Sequence, residues 1–101
     1  MEKDFVLTEL FDIYGCLLTD RQKELFAGYY LYDLSLAEIA EPEGKTRQNV
    51  YEQVKKVKQK LIAYEKLLHI KEKNDCLKNL AQNIEAQNPQ ISKKITEIIG
   101  E

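Results

Sequence analysis

The sequence predicts an all-α fold: a small helical domain with a helix-turn-helix, a long fourth helix and C-terminal helices. Three observations lead there. Apolar residues recur at helical spacing along most of the 101 residues, and no segment alternates as a half-buried strand would. Serine and threonine stand where helices should begin. Only two prolines and four glycines interrupt the chain, so long segments run unbroken.

The first helix is read in residues 4–18, "DFVLTELFDIYGCLL", with Phe5, Val6, Leu10, Ile13, Tyr14, Leu17 and Leu18 on its apolar side. Gly15 weakens it without stopping it, because apolar residues continue in phase. A second helix follows Thr19 as N-cap, with Asp20 at the positive end of the helix dipole. Leu25, Phe26, Tyr29 and Tyr30 line its inner side. A third begins at Ser35, where Glu38 completes a capping box and Leu36, Ile39 and Ala40 face inward.

Pro42 disfavours helical geometry at Glu41, so the third helix is expected to end near Ala40 or Glu41. Gly44 supplies the turn. Thr46 caps a fourth helix, read from Arg47 to about Lys73, over which no proline or glycine occurs. Val50, Val54, Val57, Leu61, Tyr64 and Leu68 share one sector of it. Such a helix extends roughly 40 Å and outruns the core of the first three, so its far end needs another surface to pack on.

A fifth helix is read after Asn74 or Asp75, with Cys76, Leu77, Leu80, Ala81 and Ile84 on one face. "NP" at 88–89 breaks it, and a short sixth helix displays Ile91, Ile95, Ile98 and Ile99. Two parts are expected: residues 1–73 as the helix-turn-helix domain, and 74–101 as an extension packing on that domain or on a partner subunit. The far end of the long helix and the isoleucine face point to a homodimer, with Tyr64, Leu68, Ile91, Ile95, Ile98 and Ile99 as its interface.

No apolar run approaches the ~20 residues of a membrane span, and the acidic start lacks a signal-peptide core. The chain is expected in the cytoplasm, with Cys16 and Cys76 reduced in apolar faces. Catalysis finds no support. His69 is alone, without the cysteine or carboxylate partners of a metal site, and is read as a partly exposed structural residue. "EGKT" resembles the end of a phosphate-binding loop, but the required first glycine would fall at Ile39 and no strand precedes it. No catalytic residue, cofactor, metal or small-molecule substrate is therefore expected.

Charge carries the functional signal. Residues 1–43 hold three basic and ten acidic residues, a balance of −7. Residues 44–101 hold twelve basic and seven acidic, a balance of +5. The basic half suits phosphate and the acidic half does not. With the valines inward, the outer face of the fourth helix shows Gln48, Glu52, Lys55, Gln59 and Lys66, flanked by Arg47, Asn49, Lys56 and Lys60. Its first turn offers backbone amides to an anion. The candidate nucleic-acid contacts are Lys45, Thr46, Arg47, Gln48, Asn49, Glu52, Lys55, Lys56 and Gln59. Against this stands an outer helix face that is merely solvated. Tyr14, Tyr29, Tyr30, Tyr32, Tyr51 and Tyr64 read as core and edge packing, with base stacking as the alternative.

Residues 5–72 also resemble a known family. "LT.RQ" at 18–22, "YYL.D.SL.EIAE" at 29–41, "RQNVY" at 47–51 and "YE" at 64–65 look like the YlxM family of small bacterial helix-turn-helix proteins, related to region 4 of sigma factors. The resemblance implies an all-helical, often dimeric protein. It also implies a link to the signal recognition particle pathway, with the particle's RNA or its targeting GTPase as partner. In related sigma domains the equivalent of residues 47–60 enters the DNA major groove, which carries over to Arg47, Gln48, Asn49, Glu52 and Lys55. The turn departs from the family: "EPEGKT" stands where "E-x-x-G-V-S" is expected, so Glu43 and Lys45 should be exposed and the turn looser.

Three functions follow. The first is a non-enzymatic nucleic-acid-binding accessory or regulator of the signal recognition particle pathway. The second is a sigma-like DNA-binding transcription regulator. The third is a pure protein-interaction module.

Overall fold

A computed structural model describes residues 5–100. Among them are six α-helices and no strand: α1 (Phe5–Tyr14), α2 (Asp20–Phe26), α3 (Leu36–Ala40), α4 (Arg47–Leu68), α5 (Ile70–Ile84) and α6 (Pro89–Ile99). The all-α class read from the sequence is the class observed. The chain forms two compact units, Met1–Leu68 and His69–Glu101.

In the first unit, α1 buries Leu7, Leu10 and Tyr14. Its phase differs from the expected one. Phe5 is 83% exposed and Val6 52%, while Leu7 turns inward instead. The helix also ends earlier than expected. After Tyr14 (φ −104°, ψ −1°) the α-helix gives way, and Gly15–Leu17 wind into a 3₁₀ turn closed by the Leu18 amide donating to the Gly15 carbonyl at 3.0 Å. This tighter winding turns Leu18 inward and leaves Leu17 and Cys16 outside.

Thr19 caps α2 through a reciprocal box with Gln22: each side-chain oxygen accepts from the other residue's amide, at 3.1 and 3.0 Å. The helix then widens into a π turn over Ala27–Leu31, which brings Tyr30 beneath Phe26. The Phe26 ring, fully buried, stacks on Phe11 at 4.4 Å and on Tyr30 at 4.6 Å. Tyr29 packs edge-on against Tyr30 at 5.1 Å. Tyr14, Tyr29 and Tyr30 thus pack as expected, whereas Tyr32 faces solvent.

Val50, Val54, Val57 and Leu61 of α4 close the core from the other side, each at most 2% exposed. The upper part of α4 packs on α1: the Tyr14 hydroxyl donates to Glu65 Oε1 at 2.5 Å, and the Tyr14 and Tyr64 rings lie 5.9 Å apart. That contact covers the far end of α4 as far as Tyr64 and Glu65, while Leu67 and Leu68 beyond it stay exposed. The helical run expected to reach Lys73 breaks at His69, which adopts a left-handed conformation (φ 54°, ψ 30°). Histidine tolerates that region better than most side chains, so no glycine is needed. α5 accordingly starts at Ile70, not after Asn74 or Asp75. His69 is exposed, with Nδ1 2.9 Å from Glu72 Oε2.

In the second unit, α5 and α6 share a narrow seam. Ala81 and Ser92 are its buried residues, and the Ser92 hydroxyl donates to the Ala81 carbonyl at 2.9 Å. Two helices alone enclose little more. Leu77, Leu80, Ile91 and Ile98 remain exposed, and Cys76 is exposed rather than packed as expected. Asn88 caps α6 by accepting from the Ile91 amide at 3.2 Å, with Pro89 in its first turn.

Candidate nucleic-acid interface

The interface is built on α3, the turn and the first four turns of α4. Ser35 and Glu38 form the expected capping box, with both hydrogen bonds at 3.1 Å. α3 ends at Ala40, within the stop expected near Ala40 or Glu41, although Pro42 does not expel Glu41 from helical geometry. Glu41 keeps φ −57° and ψ −51°, and Glu41–Glu43 continue as one 3₁₀ turn. Pro42 lacks only a donor, and the neighbouring amides complete the stop.

That stop is a Schellman motif. The Lys45 amide donates to the Ala40 carbonyl at 3.0 Å and the Gly44 amide to the Glu41 carbonyl at 3.1 Å. Gly44 sits at φ 66°, where an L side chain costs about 1–2 kcal/mol that glycine avoids. Thr46 then starts α4 by accepting from the Asn49 amide at 3.0 Å. Glu43 and Lys45 are exposed, as expected, but the turn is not loose. Glu43 pairs with Arg21 of α2, which also lies 4.0 Å from Glu24. The charge expected to loosen the turn instead ties it to the neighbouring helix.

All nine sequence-read contacts are exposed: Lys45, Thr46, Arg47, Gln48, Asn49, Glu52, Lys55, Lys56 and Gln59. At 100° per residue, Gln48, Glu52, Lys55 and Gln59 form one stripe opposite the buried valines. Asn49 and Lys56 flank it on one side and Arg47 on the other. Glu52 accepts from Gln48 Nε2 at 2.9 Å, and Asn49 accepts from Gln53 Nε2 at 2.7 Å. Lys60 reaches back to Gln22 at 3.4 Å. Residues 45–60 hold six basic side chains and one acidic. Among the described residues, no carboxylate pairs with Lys45, Arg47, Lys55 or Lys56. The face thus carries a net positive charge, interrupted only by Glu52 within residues 45–60, beside the amides of a helix start.

Two features escaped the sequence reading. One is Arg21, whose pairing with Glu43 spans 22 positions and has no local signature. The other is a groove of about 240 Å³ beside the stripe, lined by Tyr30, Tyr51, Val54, Lys55, Lys58, Gln59 and Ile62. The four-residue spacing of Arg47, Tyr51 and Lys55 was its available signal.

The residues read as a dimer interface are differently placed. Tyr64 is half-buried against Tyr14. Leu68, Ile91 and Ile98 are exposed, and Ile95 and Ile99 half-buried. Among the described residues there is no cluster of three or more histidine, cysteine, aspartate or glutamate side chains that could hold a metal ion.

Comparison with known proteins supplies a second line. The family model UPF0122, described as "Putative helix-turn-helix protein, YlxM / p13 like", matches residues 1–99. A UPF0122 protein of Mycoplasma capricolum is 40% identical over 102 residues, covering 98% of this chain and 90% of that one. A UPF0122 protein of a Thermoanaerobacter species is 37% identical over 111 residues, covering 100% of this chain and 95% of the other. One from Caldanaerobacter subterraneus is 47% identical over 75 residues, covering 73% and 64%.

Proposed function

Because the chain belongs to the UPF0122 family of YlxM/p13-like helix-turn-helix proteins, we propose that it binds nucleic acid through the outer face of α4 and catalyses no reaction. The family is described by its helix-turn-helix and not by an enzymatic activity. The observation that carries the reading is the set of unpaired cations on α4 behind a turn closed at both carbonyls. Lys45, Lys55 and Lys56 take phosphates. Arg47, Gln48 and Asn49 reach base edges or phosphates. Glu52, held by Gln48, accepts from an exocyclic amine when it meets a base.

The setting we assign is the cytoplasmic signal recognition particle pathway, in an accessory or regulatory role, on the strength of the YlxM likeness. Among the described residues no helix is long and apolar enough to cross a membrane. Pull-down from cytosol with the full chain, followed by RNA sequencing and mass spectrometry, tests this setting. Enrichment of the particle's RNA or its targeting GTPase is expected, and recovery of neither overturns it. The reading includes a homodimer formed through the exposed residues Leu68, Ile91 and Ile98. A monomeric mass by sedimentation at micromolar concentration overturns that part.

The closed turn favours one alternative. Arg21–Glu43 and the Schellman bonds hold the start of α4 firmly, as reading a duplex major groove requires. Tight binding to particular DNA duplexes, with RNA excluded, would select the transcription regulator.

A further inference from the structure

The groove beside the basic stripe is poorly suited to a rigid duplex. At about 240 Å³ it falls below the ~300–1,000 Å³ typical of small-molecule pockets. It has room for one ring. Its floor is apolar, made by Tyr30, Val54 and Ile62. Tyr51 stands at its edge, 38% exposed, with a large hydrophobic ring partly in water. Lys55 and Lys58 line the same groove, and no carboxylate pairs with either among the described residues.

The arrangement along α4 matters as much as the cavity. Arg47, Tyr51 and Lys55 are successive members of one i, i+4 ridge, so a basic residue stands one turn before Tyr51 and another one turn after it, each about 6 Å along the helix axis. An aromatic face bracketed by cations is what a non-helical strand engages, with the base on the ring and its phosphates on the flanking charges. A base inside a duplex is already stacked and offers only its edge. An acidic peptide with an aromatic residue would also satisfy the lysines. The flanking cations lie within the same positive field as the rest of the interface, however, and repeat along the helix as phosphates repeat along a strand.

We propose that this groove takes one unstacked base of a single-stranded nucleic acid, packed against Tyr51, with its neighbouring phosphates on Arg47, Lys55 and Lys58. The proposal rests on α4 being the nucleic-acid surface, and it adds that the strand engaged there is single. It takes Tyr51, which the sequence reads as packing with base stacking as the alternative, as a specificity-determining residue for strand state.

The test is fluorescence anisotropy with the full chain and two labelled probes, a single-stranded oligouridylate of about 12 nucleotides and a DNA duplex of similar length. The wild-type chain should bind the single strand. Tyr51→Ala should weaken that binding about tenfold, within the range of removing one base–aromatic stack, and leave any duplex binding within about twofold. Tyr51→Phe should restore it. Tyr51→Leu, which keeps apolar bulk for folding but lacks the ring, should remain weak. Unchanged binding in Tyr51→Leu overturns the groove proposal. If Lys55→Gln with Lys56→Gln still weakens binding in that case, the α4 interface stands without it. A wild-type chain that binds neither probe overturns both.

Discussion

Reversing the charge of Lys55 and Lys56 together to glutamate should abolish most nucleic-acid binding while leaving the fold intact. Both side chains are exposed, and no carboxylate among the described residues depends on them. Surface changes of this kind usually alter stability by no more than about 0.5 kcal/mol. The local field changes far more. Residues 45–60 hold six basic and one acidic side chain, and the double change leaves four against three. Each phosphate that is no longer neutralised takes about 0.9 from the slope of log affinity against log salt for a DNA duplex and about 0.7 for a single strand. Freeing two phosphates should therefore flatten that slope by about 1.4 with a single strand and about 1.8 with a duplex, with affinity at least tenfold lower at about 0.1 M salt. Anisotropy titrations at several salt concentrations read both quantities, and a thermal melt confirms the fold. Equal affinity and equal slope in the double variant would leave α4 as a solvated helix face.

Phe26→Ala should cost more in stability than any surface change. Phe26 is fully buried, its ring stacked between Phe11 and Tyr30, where α1, the end of α2 and α4 meet. Truncating a phenylalanine in such a place costs about 3–5 kcal/mol, because the cavity cannot fully collapse. Small domains have only about 5–15 kcal/mol in total. At about 4–8 °C per kcal/mol for a domain of this size, the melting temperature should fall by at least ~12 °C. Tyr30 also forms the groove floor, so the loss should reach the interface through its scaffold. Circular dichroism melts measure it, with Phe26→Leu as a milder companion. A fall of only a few degrees in Phe26→Ala would contradict the core described here.

What could be read in advance was local. The caps at Thr19, Ser35 and Thr46, the glycine turn and the inward valines of α4 each follow from a few adjacent residues, and all are present. The outer stripe of α4 was legible for the same reason: once Val50, Val54, Val57 and Leu61 are inside, helical geometry places Gln48, Glu52 and Lys55 outside. The comparisons bear out the family likeness drawn from those residues.

What could not be read needed partners distant in sequence. The phase of α1 depends on which of Phe5, Val6 and Leu7 meets the core, and several phases satisfy a helical period. Cys16 is outside because the chain tightens after Tyr14, and Cys76 because the second unit has only a thin seam. The break at His69 occurs without glycine or proline, so no residue type announced it. Glu43 reads as a loosening charge until Arg21 is placed beside it. The Tyr51 groove has the same origin, since its floor includes Tyr30 from the end of α2.

The most direct test of an α4 interface is residue-level mapping in solution. Backbone amide resonances of the labelled full chain are followed while unlabelled single-stranded RNA and duplex DNA are added in separate titrations. The interface described here predicts that the largest shifts cluster in residues 45–60, at the Thr46–Asn49 start of α4 and around Tyr51 and Lys55. It also predicts that α6 and the acidic N-terminal helices stay nearly still. Shifts concentrated on α1 or α6 with residues 45–60 unmoved, or no shifts with either nucleic acid, would contradict it.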